Sequence, residues 1–308
     1  MAHLHALTDV HLLRPALVTI GVFDGVHVGH RRLIEALVAR AKASGQLTVV
    51  VTFFPHPDKV LHGLTGRYYL TTPEQRAAEL HALGVDVVIT QTFDDTFRHT
   101  RAADYVRLLC QQLKMAELWV GQHFALGYDR EGTVAFLSAL GQQLGFSVHA
   151  VELVAAPEAE GVVSSTAIRE LLLAGKVEAV VGLLGRPFAI QGEVVHGDQR
   201  GRTIGFATAN IAVWDEQILP ARGVYAGWAT VEGQRWAAVT NIGIRPTFDG
   251  QRQTVEAHLL DFSGNLYGKI LNLTFEFWLR GEQKFSGIDA LVAQIRADVE
   301  AGRRLLLG

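Results

Sequence analysis

The sequence predicts two domains: an α/β domain built on a parallel sheet, then an antiparallel β domain with a C-terminal helix. Three observations carry this. The chain has 308 residues, more than a single core usually holds. Short apolar strands alternate with amphipathic helices from about residue 17 to 152, the pattern of a parallel sheet covered on both faces. From Phe188 onward the texture changes to closely spaced strand-like runs parted by turn residues, which reads as a barrel or sandwich. The expected boundary lies in GLLGR, giving domains 1–184 and 185–308.

Composition narrows the function. A net charge of −3 supplies no general attraction to nucleic acid or an anionic membrane, so any nucleotide site must be locally basic. No run of 18 apolar residues and no basic-then-apolar leader is present, so a cytoplasmic protein is expected. The single cysteine, Cys110, excludes an intramolecular disulfide and a cysteine-based zinc site. Its apolar neighbours point to core packing.

The first domain opens on VTIGVFDGVHVGHRRLI, residues 18–34. Val18 to Val22 is a β-branched strand, and Gly21, Asp24 and Gly25 form a tight turn. Leu33, Ile34, Leu37 and Val38 then recur at helical spacing up to Gly45. His27 and His30 fall in the first turn of that helix, where unpaired N–H groups and the dipole favour an anion. A surface pair or two metal ligands are the plainer readings of two such histidines. Gly25 and Gly29, which keep no side chain between backbone and ligand, raise a polyphosphate above both.

The remaining elements follow in order. Strands are expected at Leu47–Phe53, Asp86–Thr90, Leu118–Val120 and Ser147–Leu153, and helices after Thr72, over Ala102–Leu113 and over Thr133–Leu144. The segment FFPHPDKV reads as a stiff polar loop. The loop 120–133 carries Gly121, Gly127, Gly132 and the aromatic Phe124. VVSSTAIRELLLAGK supplies a second helix start, with Ser165, Thr166 and Arg169 gathered at it, and a helix over Val177–Leu184 ends at Gly185. Capping alone explains the hydroxyls; the arginine one turn in adds the makings of an anion site.

In the second domain, VVHGDQRGRTIGFATANI sets Gly197, Gly201 and Gly205 around Arg200 and Arg202. Glycines let backbone N–H groups turn inward toward a phosphate, although a hairpin with solvated arginines is the blander account. Further strands are expected in GVYAGWATV, QRWAAVTNIGI, QTVEAHLLDF and KILNLTFEFWLR. Ile288, Leu291, Val292, Ile295 and Val299 line one face of a closing helix.

These motifs carry a resemblance. G-x-F-D-G-x-H-x-G-H resembles the H-x-G-H signature of the nucleotidylyltransferase superfamily. Its flanks, with S-S-T-x-I-R, resemble the bifunctional bacterial riboflavin kinase/FMN adenylyltransferase (FAD synthetase) family. G-D-x-x-G-R-x-x-G-F-x-T-A-N and T-x-E-x-H-L-L-D-F resemble that family's flavokinase half. The resemblance covers about residues 15–305. It implies a Rossmann-like nucleotidylyltransferase domain and a flavokinase-like β-barrel. It also implies riboflavin, FMN and ATP as substrates, Mg²⁺ with the ATP, and no nucleic acid or membrane partner.

By resemblance, Gly21, Phe23, Asp24, Gly25, His27, Gly29 and His30 serve the ATP of adenylyl transfer. Ser165, Thr166 and Arg169 hold its β- and γ-phosphates. Gly197, Arg200, Gly201 and Arg202 cradle the kinase ATP, and Thr208 and Asn210 ligate Mg²⁺. Glu256 is the general base on the riboflavin 5′-hydroxyl. Phe124, Arg245, Arg280 and Phe285 face flavin. The chain departs from the family at His123, Ala125 and Leu126, where an acid and Arg-Phe are usual, and at Ala207, where Pro is usual. Two other functions fit less of the sequence: a monofunctional kinase with a degenerate first half, and a non-catalytic flavin-binding module.

Overall fold

The structure, a computed structural model, describes residues 1–152, 163–197, 205–247 and 250–308. Contacts divide the chain into two compact units, Met1–Ser164 and Ser165–Gly308.

The first unit runs β1 (Ala2–Leu4), β2 (Ala16–Ile20), α1 (Val28–Ser44), β3 (Leu47–Phe54), α2 (Pro57–His62), α3 (Pro73–Ala82), β4 (Val87–Thr92), α4 (Ala102–Leu113), β5 (Met115–Gly121), β6 (Ala125–Leu126), β7 (Gly132–Thr133), α5 (Val134–Leu144) and β8 (Ser147–Val151). Six strands form a parallel sheet in the order β1-β4-β3-β2-β5-β8. β2 is buried along its whole length, as expected where helices cover both faces of a sheet. The chain travels outward from β2 through β3 to β4, then returns to lay β5 on the other side of β2. The order reverses between β2 and β5, and in such sheets the crevice beyond the carboxyl ends at the reversal takes the ligand.

Local chemistry sets the helix ends. Gly45, at φ 65°, stops α1 in the left-handed region. Thr72 and Gln75 form a reciprocal capping box at the start of α3, with Pro73 just inside it. Cys110 is a half-buried core residue on α4, and burial raises its thiol pKa. The sequence reading differs at several elements: the expected loop 120–133 holds the short antiparallel pair β6–β7. Ala2–Leu4 adds an edge strand beside β4, and the polar loop at Pro57 is the short helix α2, capped by His56.

The second unit runs α6 (Ser165–Leu173), α7 (Val177–Leu184), β9 (Phe188–Val195), β10 (Ala209–Val213), β11 (Gly223–Val231), β12 (Gln234–Thr247), β13 (Gly250–Leu259), β14 (Ile270–Phe275), β15 (Phe277–Gly281) and α8 (Ile288–Leu307). Neighbours run β12-β13-β10-β9-β14-β11, and β11 pairs back with β12, so these six strands close into an antiparallel barrel. Closure leaves no open edge among them. The run KILNLTFEFWLR, expected as one strand, breaks at Glu276. β14 pairs with Ala229 and Thr230 of β11, and β15 pairs with its other end, from Gly223 to Ala226. Inward residues such as Ala209, Ile211 and Val213 are buried. On the outer face Val224, Ala237 and Val239 pack with Val299 and Leu306 of α8.

The sequence boundary at 184/185 and the contact boundary differ by two helices. The Ala221 amide bonds the Leu172 carbonyl at 2.8 Å, and the Trp278 amide bonds the Glu178 carboxylate at 2.9 Å. Gly175 lies against the Trp278 ring, where a Cβ would come within 2.8 Å of it. These contacts tie α6 and α7 to the barrel.

Candidate functional site

The turn from Gly21 to His30 leaves the carboxyl end of β2, at the reversal of strand order. It is tightly wound, with left-handed backbone at Phe23, Gly25 and Val26. A brace from a distant segment holds it. The fully buried Asp24 carboxylate accepts from the amides of Leu70 and Thr71 at 3.1 Å each, and from Thr71 Oγ1 at 3.3 Å. Thr71 Oγ1 in turn accepts from the Gly25 amide at 3.3 Å. Asp24, expected at the phosphates, lies in the turn itself, and its carboxylate braces that turn.

His27 is the N-cap of α1 rather than part of its first turn. Its Nδ1 accepts from the His30 amide at 3.3 Å. The two imidazoles stack, with centroids 3.5 Å apart and planes 17° from parallel. Gly29 is what the stack requires: a Cβ there would press on the His27 ring at 3.3 Å. Phe23 lies over Gly21, where a Cβ would meet its ring at 3.0 Å, and sets its edge to His30 at 5.0 Å.

Burial lowers the His27 pKa to about 4, against an opposing pull from Asp24. His30 is held well below its usual value by burial first, then by His27 and Arg76. Both rings are therefore neutral near pH 7, and as such they donate hydrogen bonds rather than carry charge. His30 Nδ1 is buried with no hydrogen-bond partner among the described residues, which suits a group completed by a ligand.

Arg76, which the sequence reading did not select, is fully buried beneath this turn. Its Nη1 donates to the Val22 carbonyl at 2.8 Å, Thr52 Oγ1 at 2.8 Å and the Phe53 carbonyl at 3.1 Å. It fastens the exits of β2 and β3 together. Beside them lies a cavity of about 630 Å³, lined by Gly21, Phe53, Phe93, Phe97 and the loop after β5, including His123, Phe124, Ala125 and Leu126. The glycines expected in that loop have a packing reason. A Cβ on Gly127 or Gly132 would fall 2.7–2.8 Å from Ala102 Cβ.

Ser165, Thr166 and Arg169 stand together in the first turns of α6, with Arg169 buried and Thr166 exposed. They belong by contact to the second unit.

In the second unit the strand ladder assembles the site. β10 and β13 pair Asn210 with Glu256, and β12 and β13 pair Asn241 with the same Glu256. Directly opposed residues share a face, so Asn210, Glu256 and Asn241 form a row across three strands on the outside of the barrel. Thr208 is the second residue before Asn210, just beyond the ladder. A cavity of about 320 Å³ opens here, lined by Thr208, Asn241, Glu256, His258, Arg280, Phe285 and residues of α8. A second cavity, about 580 Å³, is lined by Ala207, Thr208, His258, Phe262 and Tyr267 among others. Thr208 and His258 line both.

Gly197 backs this row. A Cβ there would overlap the Asn210 carboxamide, so the missing side chain makes room for the Asn210 amide. Arg280, expected against flavin, is largely spent elsewhere. Its guanidinium bonds Asp298 of α8 at 2.7–3.0 Å, and Gln294 Nε2 reaches the same carboxylate at 2.9 Å. It clamps β15 to α8 and stands 5.8 Å from the centre of the Phe285 ring. Sequence reasoning missed Asp298, whose only signal was an acidic residue on the inner side of an amphipathic helix. Arg245 is exposed, beyond Asn241 on β12. Trp278 packs against Gly175 and Tyr225. Arg200, Gly201 and Arg202 lie outside the described residues.

The donors at Thr208 and Asn210 are neutral oxygens. Among the described residues no group of three His, Cys, Asp or Glu could hold a metal by itself. Such a set fits Mg²⁺ that arrives on nucleotide phosphates and keeps water in its remaining positions.

A helix-start turn at a strand reversal in one unit and, in the other, a barrel bearing an acid–amide row at a cavity are the parts of a nucleotide-dependent transferase with two sites. A family model for FAD synthetase matches residues 10–167, and one for riboflavin kinase matches residues 184–306. A bifunctional riboflavin kinase/FMN adenylyltransferase from Pseudomonas fluorescens is 40% identical over 305 residues, covering 98% of this chain and 96% of that one. The protein of the same description from Escherichia coli K12 is 38% identical over 284 residues, covering 92% and 90%. A crystal structure described as a macrolide-efflux protein from Streptococcus pneumoniae superposes with a TM-score of 0.87, at 29% identity over 98% of each chain. Among the described residues no helix is long and apolar enough to cross a membrane. The chain belongs to the bifunctional riboflavin kinase/FMN adenylyltransferase family.

Proposed function

We propose that this chain makes FAD from riboflavin in two ATP-dependent steps, one in each half, divided at 184/185. The observation that carries the kinase assignment is the rung that sets Asn210 opposite Glu256, beside two cavities that meet at Thr208. The smaller cavity, walled by Phe285 and α8, takes riboflavin. The larger one takes ATP. Glu256 accepts the proton of the riboflavin 5′-hydroxyl, that oxygen bonds to the γ-phosphorus, and the bond to the β-phosphate oxygen breaks to release ADP. Thr208 and Asn210 would hold Mg²⁺ with the ATP; when bound, the ion neutralises charge on the phosphates.

In the first half a phosphate oxygen of FMN attacks the α-phosphorus of ATP, and pyrophosphate leaves. No nucleophilic side chain is needed, so positioning and charge stabilisation supply the catalysis. The stacked His27 and His30 donate to the phosphates at the start of α1. Ser165, Thr166 and Arg169 keep, by resemblance, the role of holding the departing pyrophosphate. The cavity bearing Phe124 is the place for FMN, since it adjoins Gly21 at the mouth of the turn. His123, Ala125 and Leu126 line it, so the family departures bear on how FMN is gripped.

One incubation tests the whole reading. Riboflavin with Mg·ATP, resolved by flavin chromatography, should yield FMN and then FAD. FMN alone would reduce the chain to a kinase. Unchanged riboflavin would leave a flavin-binding module.

A further inference from the structure

We propose that His258 is a positioning residue for the kinase step, which holds Thr208 in place through the backbone of Ala207. The inference rests on the kinase reading of the barrel. The ladder between β10 and β13 has the rungs Ala209–Ala257 and Asn210–Glu256 and then ends. Thr208 is therefore the first residue with no strand to hold it. Gly205, at φ 87°, Phe206 and Ala207 lead into it. None of them fixes φ as proline would, and the family's usual residue at 207 is proline. A threonine that must present its hydroxyl at one point is thus approached by a segment with little stiffness of its own.

The His258 imidazole supplies the missing restraint. Its Nδ1 lies 2.8 Å from the Ala207 carbonyl oxygen. A carbonyl only accepts, so Nδ1 carries the proton in this bond, and the tautomer follows. Phe206 meets the same ring edge-on, with centroids 5.6 Å apart at 75°. One side chain thus grips two successive residues just before Thr208. His258 follows Glu256 by two positions on β13, on the same face of the strand. The side chain stands where the next rung of the ladder would be. Both cavities that meet at Thr208 are also lined by His258, so the latch lies at the junction without having to touch the reacting atoms.

The test uses the full chain and five variants: His258→Ala, His258→Asn, His258→Gln, Ala207→Pro and the double variant His258→Ala/Ala207→Pro. Each is assayed for FMN formation from riboflavin over a range of Mg·ATP. FAD formation from FMN in the same preparation controls for the first half. Loss of one hydrogen bond of this kind is expected to raise KM for Mg·ATP about tenfold in His258→Ala, with kcat changed by less than about threefold. His258→Asn, whose amide places a donor near the Nδ1 position, should restore KM to within about threefold. Ala207→Pro should rescue His258→Ala, because a fixed φ replaces the latch, and should lower KM or leave it alone in the native background. The proposal is overturned if KM in His258→Ala is unchanged, or if proline gives no rescue while His258→Gln, which places its amide near the Nε2 position, does; that pattern would make the histidine a direct ligand. Failure of the underlying reading looks different: the native chain would form no FMN at any Mg·ATP concentration.

Discussion

The two sites are built on opposite plans. In the first unit most of the proposed machinery is contiguous, Gly21 to His30, and the fold's task is to brace one turn, from Leu70 and Thr71 through Asp24 and from Arg76. In the second unit no two principal residues are neighbours in sequence. Asn210, Asn241 and Glu256 meet because three strands keep register. A one-residue slip would send each of them to the inside of the barrel. The first plan uses local backbone geometry and buried braces, with imidazoles kept neutral. The second uses topology and leaves an acid beside neutral oxygens. The electrostatics differ accordingly, with basic nitrogens stripped of water in one and a carboxylate at a cavity wall in the other.

Crossed substitutions are the strongest way to break this comparison. Glu256→Gln should lower FMN formation by about 100-fold or more while FMN is still converted to FAD. His30→Ala should do the reverse, lowering FAD formation about 100- to 1,000-fold with the kinase intact. Rates of both steps, measured in each variant, decide it; a variant that loses both activities would mean that the halves do not work as separate plans.

Asp298→Ala tests how far the barrel site depends on a clamp rather than on local geometry. It leaves the Arg280 guanidinium, whose side chain is 15% exposed, without its carboxylate. The expected cost is about 3–5 kcal/mol of stability in the second unit, read by denaturant unfolding followed through kinase activity. FAD formation from FMN should persist. An unchanged kinase midpoint would remove the clamp from the account.

The smallest effect separates the units by pH. His27 binds a proton near pH 6.5 when unfolded but only near pH 4 when folded. Its contribution to stability is therefore complete above about pH 6.5 and is lost as pH falls toward 4. The loss is about 2 kcal/mol by pH 5 and about 3 kcal/mol by pH 4. His30 acts in the same direction. In the second unit the contribution of Asp261, its pKa lowered by Arg303, is complete above the ordinary carboxylate range and is lost only below it, so it does not change between pH 7 and pH 5. Thermal inactivation at pH 7 and pH 5 should thus advance more for FAD formation than for FMN formation; equal shifts would contradict neutral, buried histidines.

Much of the architecture was legible because it is periodic. The bounds expected for α4 and α7 are those observed, and the glycine stops at 45 and 185 lie where they were expected. What escaped was short or relational. Ala2–Leu4 is too brief to show a period and is a strand only because β4 lies beside it. The start of α2 did leave a signal, His56 followed by Pro57 and Asp58, but its six residues are too few for helical spacing to emerge. The break at Glu276 exists because β11 has two partners along one edge, which no local pattern records. At the sites the same rule holds. The turn was readable as a motif, whereas the Asp24 brace has partners 46 and 47 residues away, and Asp298 shows its purpose only once α8 lies on β15.

The contact between Gly197 and Asn210 reaches beyond this molecule. A glycine at a strand end is commonly excused by its backbone, yet this one answers to a carboxamide on the neighbouring strand. Its freedom to vary is set by another position altogether. As such chains diverge, 197 and 210 must drift as a pair: the first can acquire a side chain only after the second has given up its amide.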